Sequence, residues 1–416
     1  MTAVPPLEAA KLTVRRRIII GLWVAVVLAV GINAKFGDSG WDMQVYVTAI
    51  HSLRIGHDPY ADAMAVQQAY HEQGGSLSGA LPYSYVYSPI TLPVLRLVGK
   101  LPFWLSGASY WLVYVFAVLG QIWFAMQATT VNERRCFLYL AAASVYFPGF
   151  LENESVLSGN IAYILYAMVL LAATVGWRRG NWNWFYAATL AASCVKAPLL
   201  SLVVIPPLSA RRQWLPASLT AAVGVGLFAI QPVLWPSLFR NFMKAVDLQF
   251  LYNRDFGCSP AGLFSDALFR KGIPYSPAWL IFYVCYAVPL FGVLLYLSRR
   301  YLQGRVSLNQ WVPVLLVGVI LLDPRILEYD VAPVTLLLAL IAWRFFASFT
   351  TMARTILYLA ILFAVTNGIA AFGWYVRKLV DGPLLIIVFA AGCWTLWRQS
   401  GIEPPSSAAT APQAVA

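Results

Sequence analysis

The chain has 416 residues, of which 60% are hydrophobic and 11% are charged, and its formal net charge is +12. Together with a mean hydropathy of +0.69, this composition excludes an ordinary soluble fold. The positive charge does not indicate nucleic-acid binding, because the arginines flank apolar segments, where membrane orientation and anionic headgroups already require them.

The long apolar segments predict an all-α, polytopic integral membrane protein. In lipid the backbone can satisfy its hydrogen bonds only within helices or a closed barrel, and the apolar runs here are continuous rather than alternating. We expect about ten transmembrane helices plus short re-entrant or broken helices, in one domain over residues 18–398. Residues 1–17 are then a cytoplasmic N-terminal segment, and residues 399–416 are a disordered cytoplasmic tail.

The first apolar segment sets the orientation. Arg15–Arg17 immediately precede Ile18–Ala34, so the positive-inside rule places the N-terminus in the cytoplasm. The alternative is a cleaved signal peptide, but Ile32 breaks the small-residue cleavage pattern. We therefore expect an uncleaved helix in the bacterial inner membrane, with the following loop on the extracytoplasmic side.

That loop, from Lys35 to Ser88, is long for a simple connection, which predicts a functional role. Ser39 and Asp42 have capping-box spacing, so we expect a helix from about Gly40 to Arg54. Asp42 could reach back to the Ser39 amide as a cap, or it could act as a general base. The two roles are compatible, because the helix dipole stabilises the carboxylate anion.

The same loop contains all the histidines, whose spacing matches no metal-ligand pattern, so we expect no metal or other cofactor. Asp58-Pro59 is typical of a turn. The tyrosines of the string PYSYVYSP, residues 82–89, suggest either an interfacial aromatic belt or a platform on which a sugar stacks.

The segments after the loop continue the helical pattern. The piece from Pro89 to Leu101 is too short to cross the membrane. The further expected spans lie near 106–128, 136–150, 159–177, 213–235, 278–298, 309–322, 331–347, 355–375 and 382–398.

Residues 183–194 and 197–208 have arginines at both ends and are interrupted at Lys196. They are interpreted as a hairpin of two half-length helices that enters and leaves on the cytoplasmic side. Lys196 would lie near the middle of the membrane at its tip, where an ammonium is costly, which indicates a functional residue. Snorkelling to an interface is the alternative.

Three further places contribute candidates. Asn160 could cap the span that follows it or face a substrate. The loop at 321–330 holds Asp323, Arg325, Glu328 and Asp330, which could bridge one another, or Arg325 could bind a phosphate with its fork of donors. Arg377 and Lys378 fall in an outer loop in this scheme, against the positive-inside rule.

Together these motifs resemble glycosyltransferase family 87, of the GT-C fold, which includes mycobacterial α-mannosyltransferases acting on phosphatidylinositol mannosides. The resemblance spans residues 18 to about 345. The family usually has Pro-Pro where this chain has Ser88-Pro89, and Gly-Gln where it has Gly159-Asn160; its Lys-x-x-Pro is shortened here to Lys196-Ala197-Pro198. The remaining matching residues are Asp42, Tyr46, Ala49, Gly56, Pro59-Tyr60 and Tyr85-Val86-Tyr87.

The resemblance implies transfer of a hexose, by analogy mannose, from a polyprenyl-phosphate sugar to a lipid- or glycan-linked acceptor on the extracytoplasmic side, with inversion. A departing phosphodiester needs no general acid, so one base, Asp42, suffices. Lys196 or Arg325 would offset charge on the lipid phosphate. The substrate-binding residues so implied are Asp38, Tyr46, Tyr60, Tyr85, Tyr87, Asn160, Lys196, Arg325 and Glu328.

The expected partners are therefore the donor, the acceptor and membrane lipids, with no nucleic acid. A secondary transporter would also have broken helices and charges within the membrane. Transporters commonly show internal repeats, however, and the two halves of this chain share no self-similarity. A structural or assembly subunit would not need carboxylate, aromatic and cationic residues on one face.

Overall fold

The structure is a computed structural model that describes residues 40–72, 85–130, 133–134, 158–253, 256–273, 276–370, 372 and 374–399. Several sequence-based expectations lie outside these residues. They are the segment 1–17, the first span Ile18–Ala34, the candidate Asp38, the cap Ser39, the span at 136–150 and residues 400–416 of the tail.

Every regular element among the described residues is a helix, which confirms the all-α class. Two helices, α1 (Trp41–Arg54) and α2 (Pro59–Glu72), occupy the loop before the first described span. The next elements are a 3-10 turn (Pro89–Thr91), α3 (Leu92–Val98), α4 (Phe103–Gln127), α5 (Ala162–Arg179), α6 (Asn183–Val195), a 3-10 helix (Ala197–Val204) and α7 (Ile205–Ser209).

The second half continues with α8 (Trp214–Ala229), α9 (Gln231–Leu234), α10 (Pro236–Asn253), α11 (Pro260–Arg270), α12 (Ala278–Leu302), α13 (Leu308–Leu321), α14 (Glu328–Val331), a 3-10 turn (Ala332–Val334), α15 (Thr335–Ala347), α16 (Met352–Ala370) and α17 (Trp374–Gln399).

Four described helices are long and apolar enough to cross a membrane: Trp104–Gln127, Trp214–Leu234, Ala278–Leu302 and Val376–Arg398. Each overlaps an expected span. Other predicted spans form apolar helices that are shorter, such as α13 and α15, with 14 and 13 residues. The structure therefore supports a helical membrane protein, while the number of ten crossings stays a prediction.

The centre of the molecule is built from α13 and α15. Both are apolar on all sides, the signature of a helix buried all round, and their segments Trp311–Leu321 and Thr335–Ala342 are buried throughout. They pack against each other and against α17. The long helices α4, α8 and α12 instead expose large apolar side chains, such as Phe116, Leu219 and Ile281, as expected of faces that contact lipid.

The helix break at Lys196 forms where the sequence predicts it. In a continuous helix the ring of Pro198 would clash with the carbonyl of Cys194, so α6 ends at Val195. Lys196 is extended, with φ −130° and ψ 96°. The 3-10 helix that follows packs against α6. The side of the membrane on which its ends lie stays a prediction.

A salt bridge closes one end of the core. Arg344 Nε lies 2.7 Å from Glu133 Oε1, and its Nη2 lies 2.7 Å from Oε2. The same guanidinium donates to the carbonyls of Ala128, at 2.9 Å, and Asn309, at 2.8 Å. Burial raises the pKa of Glu133, but the hydrogen bonds and charge of Arg344 outweigh it and lower the pKa. Arg344 thereby ties α15 to the ends of α4 and α13.

The expectation that Arg377 and Lys378 lie in a loop is wrong. Helix α17 begins at Trp374, well before the predicted start at 382, and both cations lie in its first turns, each 6% exposed. Arg377 Nε lies 3.6 Å from Asp381 Oδ2, one turn later. The positive-inside rule concerns residues in flanking loops, so it does not govern cations that are buried beside a carboxylate.

Candidate functional site

Asp42 lies in the first turn of α1, where backbone amides point towards it. The N-cap residue is Gly40, with φ 78°, one residue later than Ser39, so the predicted capping box does not start this helix. The Asp42 amide donates to Ser158 O at 3.0 Å. Its Oδ2 accepts a hydrogen bond from Asn160 Nδ2 at 3.1 Å. The carboxylate therefore faces the residues that precede α5.

Asn160 supports the start of α5, which is one of the two roles that the sequence left open; contact with a substrate stays a prediction. Its Oδ1 accepts the amide of Ala162 at 2.9 Å, which supports the first turn of α5, while its Nδ2 holds Asp42. Gly159 has φ 69°, a conformation that favours glycine. A side chain there would also approach Met43 and Trp111, at 3.3 and 3.4 Å. The conformation of Gly159 and Asn160 thus places the side-chain amide of Asn160 against the carboxylate of Asp42.

Two of the predicted tyrosines lie beside this pair. The hydroxyls of Tyr46 and Tyr87 are 2.7 Å apart, and Tyr46 also accepts the amide of Ile161 at 3.1 Å. Burial, neighbouring tyrosines and the Asp42 charge raise the pKa of Tyr46 well above its ordinary value, so its hydroxyl stays neutral. Tyr110 of α4 donates to Gly159 O. Asp42, Asn160, Tyr46, Tyr87 and Tyr110 form what we call the carboxylate site.

The other two predicted tyrosines are buried next to the carboxylate site, against Tyr87. Tyr60 is 0% and Tyr85 is 2% exposed. The Tyr60 hydroxyl donates to Tyr87 O at 2.6 Å, and the Tyr85 hydroxyl pairs with Thr91 Oγ1 at 2.6 Å. Their rings contact each other, with centroids 5.5 Å apart. This packing fixes the backbone of Tyr87; direct contact with a substrate stays a prediction for both residues.

A second polar group surrounds the helix break. Lys196 Nζ forms an ion pair with Asp330 Oδ1 and lies 4.4 Å from the centre of the Tyr329 ring. Asp330, 1% exposed, also accepts hydrogen bonds from Tyr166 Oη at 3.3 Å and from the Leu327 amide at 3.1 Å. The predicted half-helix lysine and the predicted polar loop therefore meet, and we call this group the lysine site.

The remaining candidates of that loop lie around the lysine site. Arg325 N donates to Asp323 Oδ1 at 2.9 Å, and its guanidinium carbon lies 5.1 Å from the centre of the Phe250 ring. Burial and the nearby Asp330 charge raise the pKa of Asp323 to about 7. Glu328 is the first residue of α14 and is half-buried. Burial raises the pKa of the Cys258 thiol, and nearby carboxylates, including Glu328, raise it further.

Helix α5 connects the two sites. Asn160, just before it, touches Asp42, and Tyr166, six residues later, touches Asp330. Six residues of helix rise about 9 Å. A second link comes from Ser88, which donates to the carbonyl of Cys194 at 3.1 Å, two residues before Lys196. The carboxylate site and the lysine site are therefore neighbours, linked through α5 and through the contact of Ser88.

Sequence reasoning missed several residues of these sites. Tyr110 and Tyr166 lie within apolar helices, where a tyrosine resembles any core aromatic, so the sequence carried no signal for them. Asp330 was one of four charged residues in a short loop, and nothing in the pattern marked it as the partner of Lys196. In the part of the chain that the structure describes, no group of three or more His, Cys, Asp or Glu could hold a metal ion.

The chain matches no protein-family model and no curated protein. The resemblance to glycosyltransferase family 87 therefore rests on the short motifs alone and stays a prediction. The geometry of the two sites is the independent ground on which a function can be argued.

Proposed function

We propose that this chain is an inverting membrane hexosyltransferase. It would move a hexose, with mannose as the first sugar to test, from a polyprenyl-phosphate donor to a hydroxyl of a lipid- or glycan-linked acceptor. The reaction would take place on the extracytoplasmic side of a bacterial inner membrane, with both termini in the cytoplasm. The observation that supports it most is the Asp42 carboxylate, held by Asn160 at a helix N-terminus among tyrosine hydroxyls.

In this proposal Asp42 accepts the proton of the acceptor hydroxyl. The acceptor oxygen attacks the anomeric carbon, the bond from that carbon to the phosphate oxygen breaks, and the lipid phosphate departs as an anion. That leaving group requires no proton, so the second carboxyl group of a retaining glycosidase is not needed. Asp42 then loses its proton to water.

Asn160 and the tyrosines have positioning roles. The hydrogen bond from the Asn160 side-chain amide fixes one oxygen of the Asp42 carboxylate, which limits the rotation of that side chain. Tyr46 and Tyr87 are neutral hydroxyls that can donate to the acceptor or to the sugar, and Tyr60 and Tyr85 hold Tyr87 from below. A base held within a narrow range of orientations spends more time in the near-attack geometry.

Lys196 would offset the charge that develops on the departing phosphate. An ammonium has three N–H donors, and the bond to Asp330 occupies one of them. The others can serve phosphate oxygens while Asp330 fixes the position of the nitrogen. A preorganised cation of this kind stabilises developing negative charge without reorganising during the reaction.

The test is turnover of purified Asp42→Asn protein in lipid nanodiscs, with polyprenyl-phosphate mannose as the donor and total membrane lipids as the acceptors. Loss of a general base predicts that transfer falls by about 100- to 10,000-fold, while the melting temperature is unchanged. Asp62→Asn is the matched control, because Asp62 is a half-exposed acid on α2 that pairs only weakly with His57, at 3.5 Å. Near-normal transfer by the Asp42 variant would remove Asp42 as the base.

A transporter is the second candidate, favoured by one observation: a helix broken at a buried ion pair also occurs at the substrate sites of transporters. Reconstitution of the same purified protein into sealed vesicles separates the two functions. A transporter in sealed vesicles would accumulate the labelled compound unchanged, whereas a transferase produces a new glycosidic bond and free polyprenyl phosphate.

A further inference from the structure

The ammonium of Lys196 touches an aromatic ring as well as its carboxylate partner. Tyr329, the residue before Asp330 on α14, is half-buried, and the centre of its ring lies 4.4 Å from Lys196 Nζ. That distance is within the range of about 6 Å for a cation–π contact, which is strongest where the cation has left water. The Lys196 side chain is only 14% exposed. Two adjacent residues of α14 therefore hold one ammonium, one through its charge and one through the face of its ring.

The ring of Tyr329 is itself held by other tyrosines. It packs against Tyr114 of α4 and Tyr163 of α5, which are 2% and 0% exposed and whose ring centres are 5.3 Å apart. Tyr114 in turn stacks on Tyr110 of the carboxylate site, with ring centres 6.2 Å apart and planes inclined by 22°. Contacting rings thus connect the two sites in addition to α5. Tyr329 is therefore a fixed surface against which a flexible lysine can be held.

A ring and a carboxylate restrain a lysine in different ways. Asp330 accepts hydrogen bonds from Lys196, from Tyr166 at 3.3 Å and from the Leu327 amide at 3.1 Å. A second carboxylate at the ammonium would cancel its charge, whereas a tyrosine ring attracts the cation through its quadrupole and has no formal charge. The ring therefore confines the nitrogen without reducing the charge that it offers to an anion.

We propose that Tyr329 is a positioning residue for Lys196: the face of its ring holds the ammonium where Asp330 and an anionic leaving group can both reach it. An aliphatic side chain of similar size would fill the same space and leave the ammonium free to turn on its long stem. The effect on a departing phosphate rests on the proposed function, whereas the contact between the ring and the ammonium does not. Separate measurements test the two parts.

The contact is tested by a graded series in the full chain, in which Tyr329 is replaced by phenylalanine and by its mono-, di- and trifluorinated forms. These side chains have nearly the same shape, but each fluorine weakens the attraction of the ring face for a cation. Phenylalanine is the reference, so the loss of the hydroxyl is common to every member. The equilibrium constant for unfolding in detergent should rise stepwise, by about fivefold from the first member to the last.

The same series is repeated in the double variant Lys196→Met, Asp330→Asn. That background lacks the cation together with its counter-ion, so it contains no unbalanced buried charge. There the unfolding constants of the fluorinated proteins should agree within about twofold, because a ring without a cation beside it acts through its shape alone.

The effect on transfer is tested by kinetics with polyprenyl-phosphate mannose. Because Lys196 would act on charge that develops during the reaction, Tyr329→Leu should lower kcat by about tenfold and leave the donor KM unchanged within about twofold. Tyr329→Phe keeps the ring face and should recover most of that loss. Tyr296→Leu is the matched control, because Tyr296 also lies against a cation, with Arg300 at 4.9 Å, but is 47% exposed and belongs to neither site.

Equal effects of fluorination in the two backgrounds would overturn the proposal, because the ring would then only fill space. An unchanged kcat in Tyr329→Leu would also overturn it, since the ammonium would need no ring to reach its working position. If Tyr329→Leu does not fold, the kcat of the fluorinated series decides this point, with a stepwise fall expected. If the unsubstituted protein transfers no sugar, the proposed function fails by itself, and the unfolding series still decides whether Tyr329 holds Lys196.

Discussion

At the scale of single residues, Asn160 is the most informative side chain of the carboxylate site. One amide group supports the first turn of α5 through its oxygen and holds Asp42 through its nitrogen. The hydrogen bond to Asp42 fixes one oxygen of the carboxyl group. The geometry therefore assigns Asn160 a positioning role and not a chemical step of its own.

Replacing Asn160 with alanine should lower the rate of transfer, because the carboxylate of Asp42 loses the amide donor that fixes one of its oxygens. We expect kcat to fall about 10- to 100-fold through lost orientation of the base, with the donor KM unchanged within about twofold.

Steady-state kinetics of the Asn160 variant, with its melting temperature measured alongside, check this expectation. Gln68→Ala is the control, because Gln68 is an exposed amide on α2 that bonds only to Glu72, at 2.9 Å. A rise in the donor KM or an early melting transition, in place of the fall in kcat, would mean that Asn160 affects access or folding rather than the orientation of the carboxyl group.

Much of the carboxylate site was predictable from short motifs. Asp42, Tyr46, Tyr87 and Asn160 come from three separate segments of the sequence, and the structure brings them together. The motif could not show which tyrosines face inward. In PYSYVYSP, alternation suggests a common face, yet Tyr85 is buried while the hydroxyl of Tyr87 turns towards Tyr46, since the chain is irregular there rather than a strand.

At the scale of elements, the broken segment from α6 to α7 was predicted from the position of Lys196 and Pro198. What the sequence could not supply was the partner of the lysine, 134 residues away in the chain. The 3-10 helix of eight residues after the break is also unusual, because such helices rarely exceed about three or four residues and longer ones often mark functional hinges. The ion pair of Lys196 lies at the start of this 3-10 helix.

Removal of either partner of the Lys196–Asp330 pair should destabilise the protein. Lys196 is 14% and Asp330 is 1% exposed at the side chain, so a single substitution leaves a buried charge without its counter-ion. Lys196→Met and Asp330→Asn should each lower the free energy of unfolding by about 3 kcal/mol. The double variant should lose less than the sum of the two, because it contains no unbalanced charge.

Unfolding of the four proteins in detergent, followed as a double-mutant cycle, measures this coupling. Lys100→Met is the control, because Lys100 is an exposed lysine in the short turn after α3. Additive losses would show that the two residues act independently. The pair would then be a consequence of packing and not the contact that holds the helix break in place.

At the scale of the whole molecule, composition gave the class and left the arrangement open. The apolar segments predicted a helical membrane protein, and four described helices have the required length. The segments at 309–322 and 331–347 became short central helices, the second shortened by Pro333, which lies in the 3-10 turn before α15. Central helices packed against protein on all sides need not match the thickness of the bilayer, which is consistent with their lengths of 14 and 13 residues.

The orientation can be tested by labelling, because the broken segment makes a specific prediction. If α6, with 13 residues, and the 3-10 helix, with eight, lay end to end in one line, they would span about 36 Å. That length is enough to cross the hydrocarbon core. The two elements pack against each other instead, as expected of a hairpin that returns to the side it entered. Cysteines introduced at the exposed positions Arg179 and Arg211 should then both be protected from an impermeant maleimide in intact cells, and both should react after permeabilisation.

Ala65→Cys supplies the matched position on the opposite side, since Ala65 is exposed on α2, in the loop that carries Asp42. It should react in intact cells, and the background from native cysteines is subtracted with the unsubstituted protein. Labelling at only one of Arg179 and Arg211 would show that the segment crosses, and Lys196 would then lie on a transmembrane path. Protection at Ala65 would place Asp42 on the cytoplasmic side and contradict the proposed extracytoplasmic transfer, whereas reaction at Ala65 alone fits a base that meets its acceptor outside the cytoplasm.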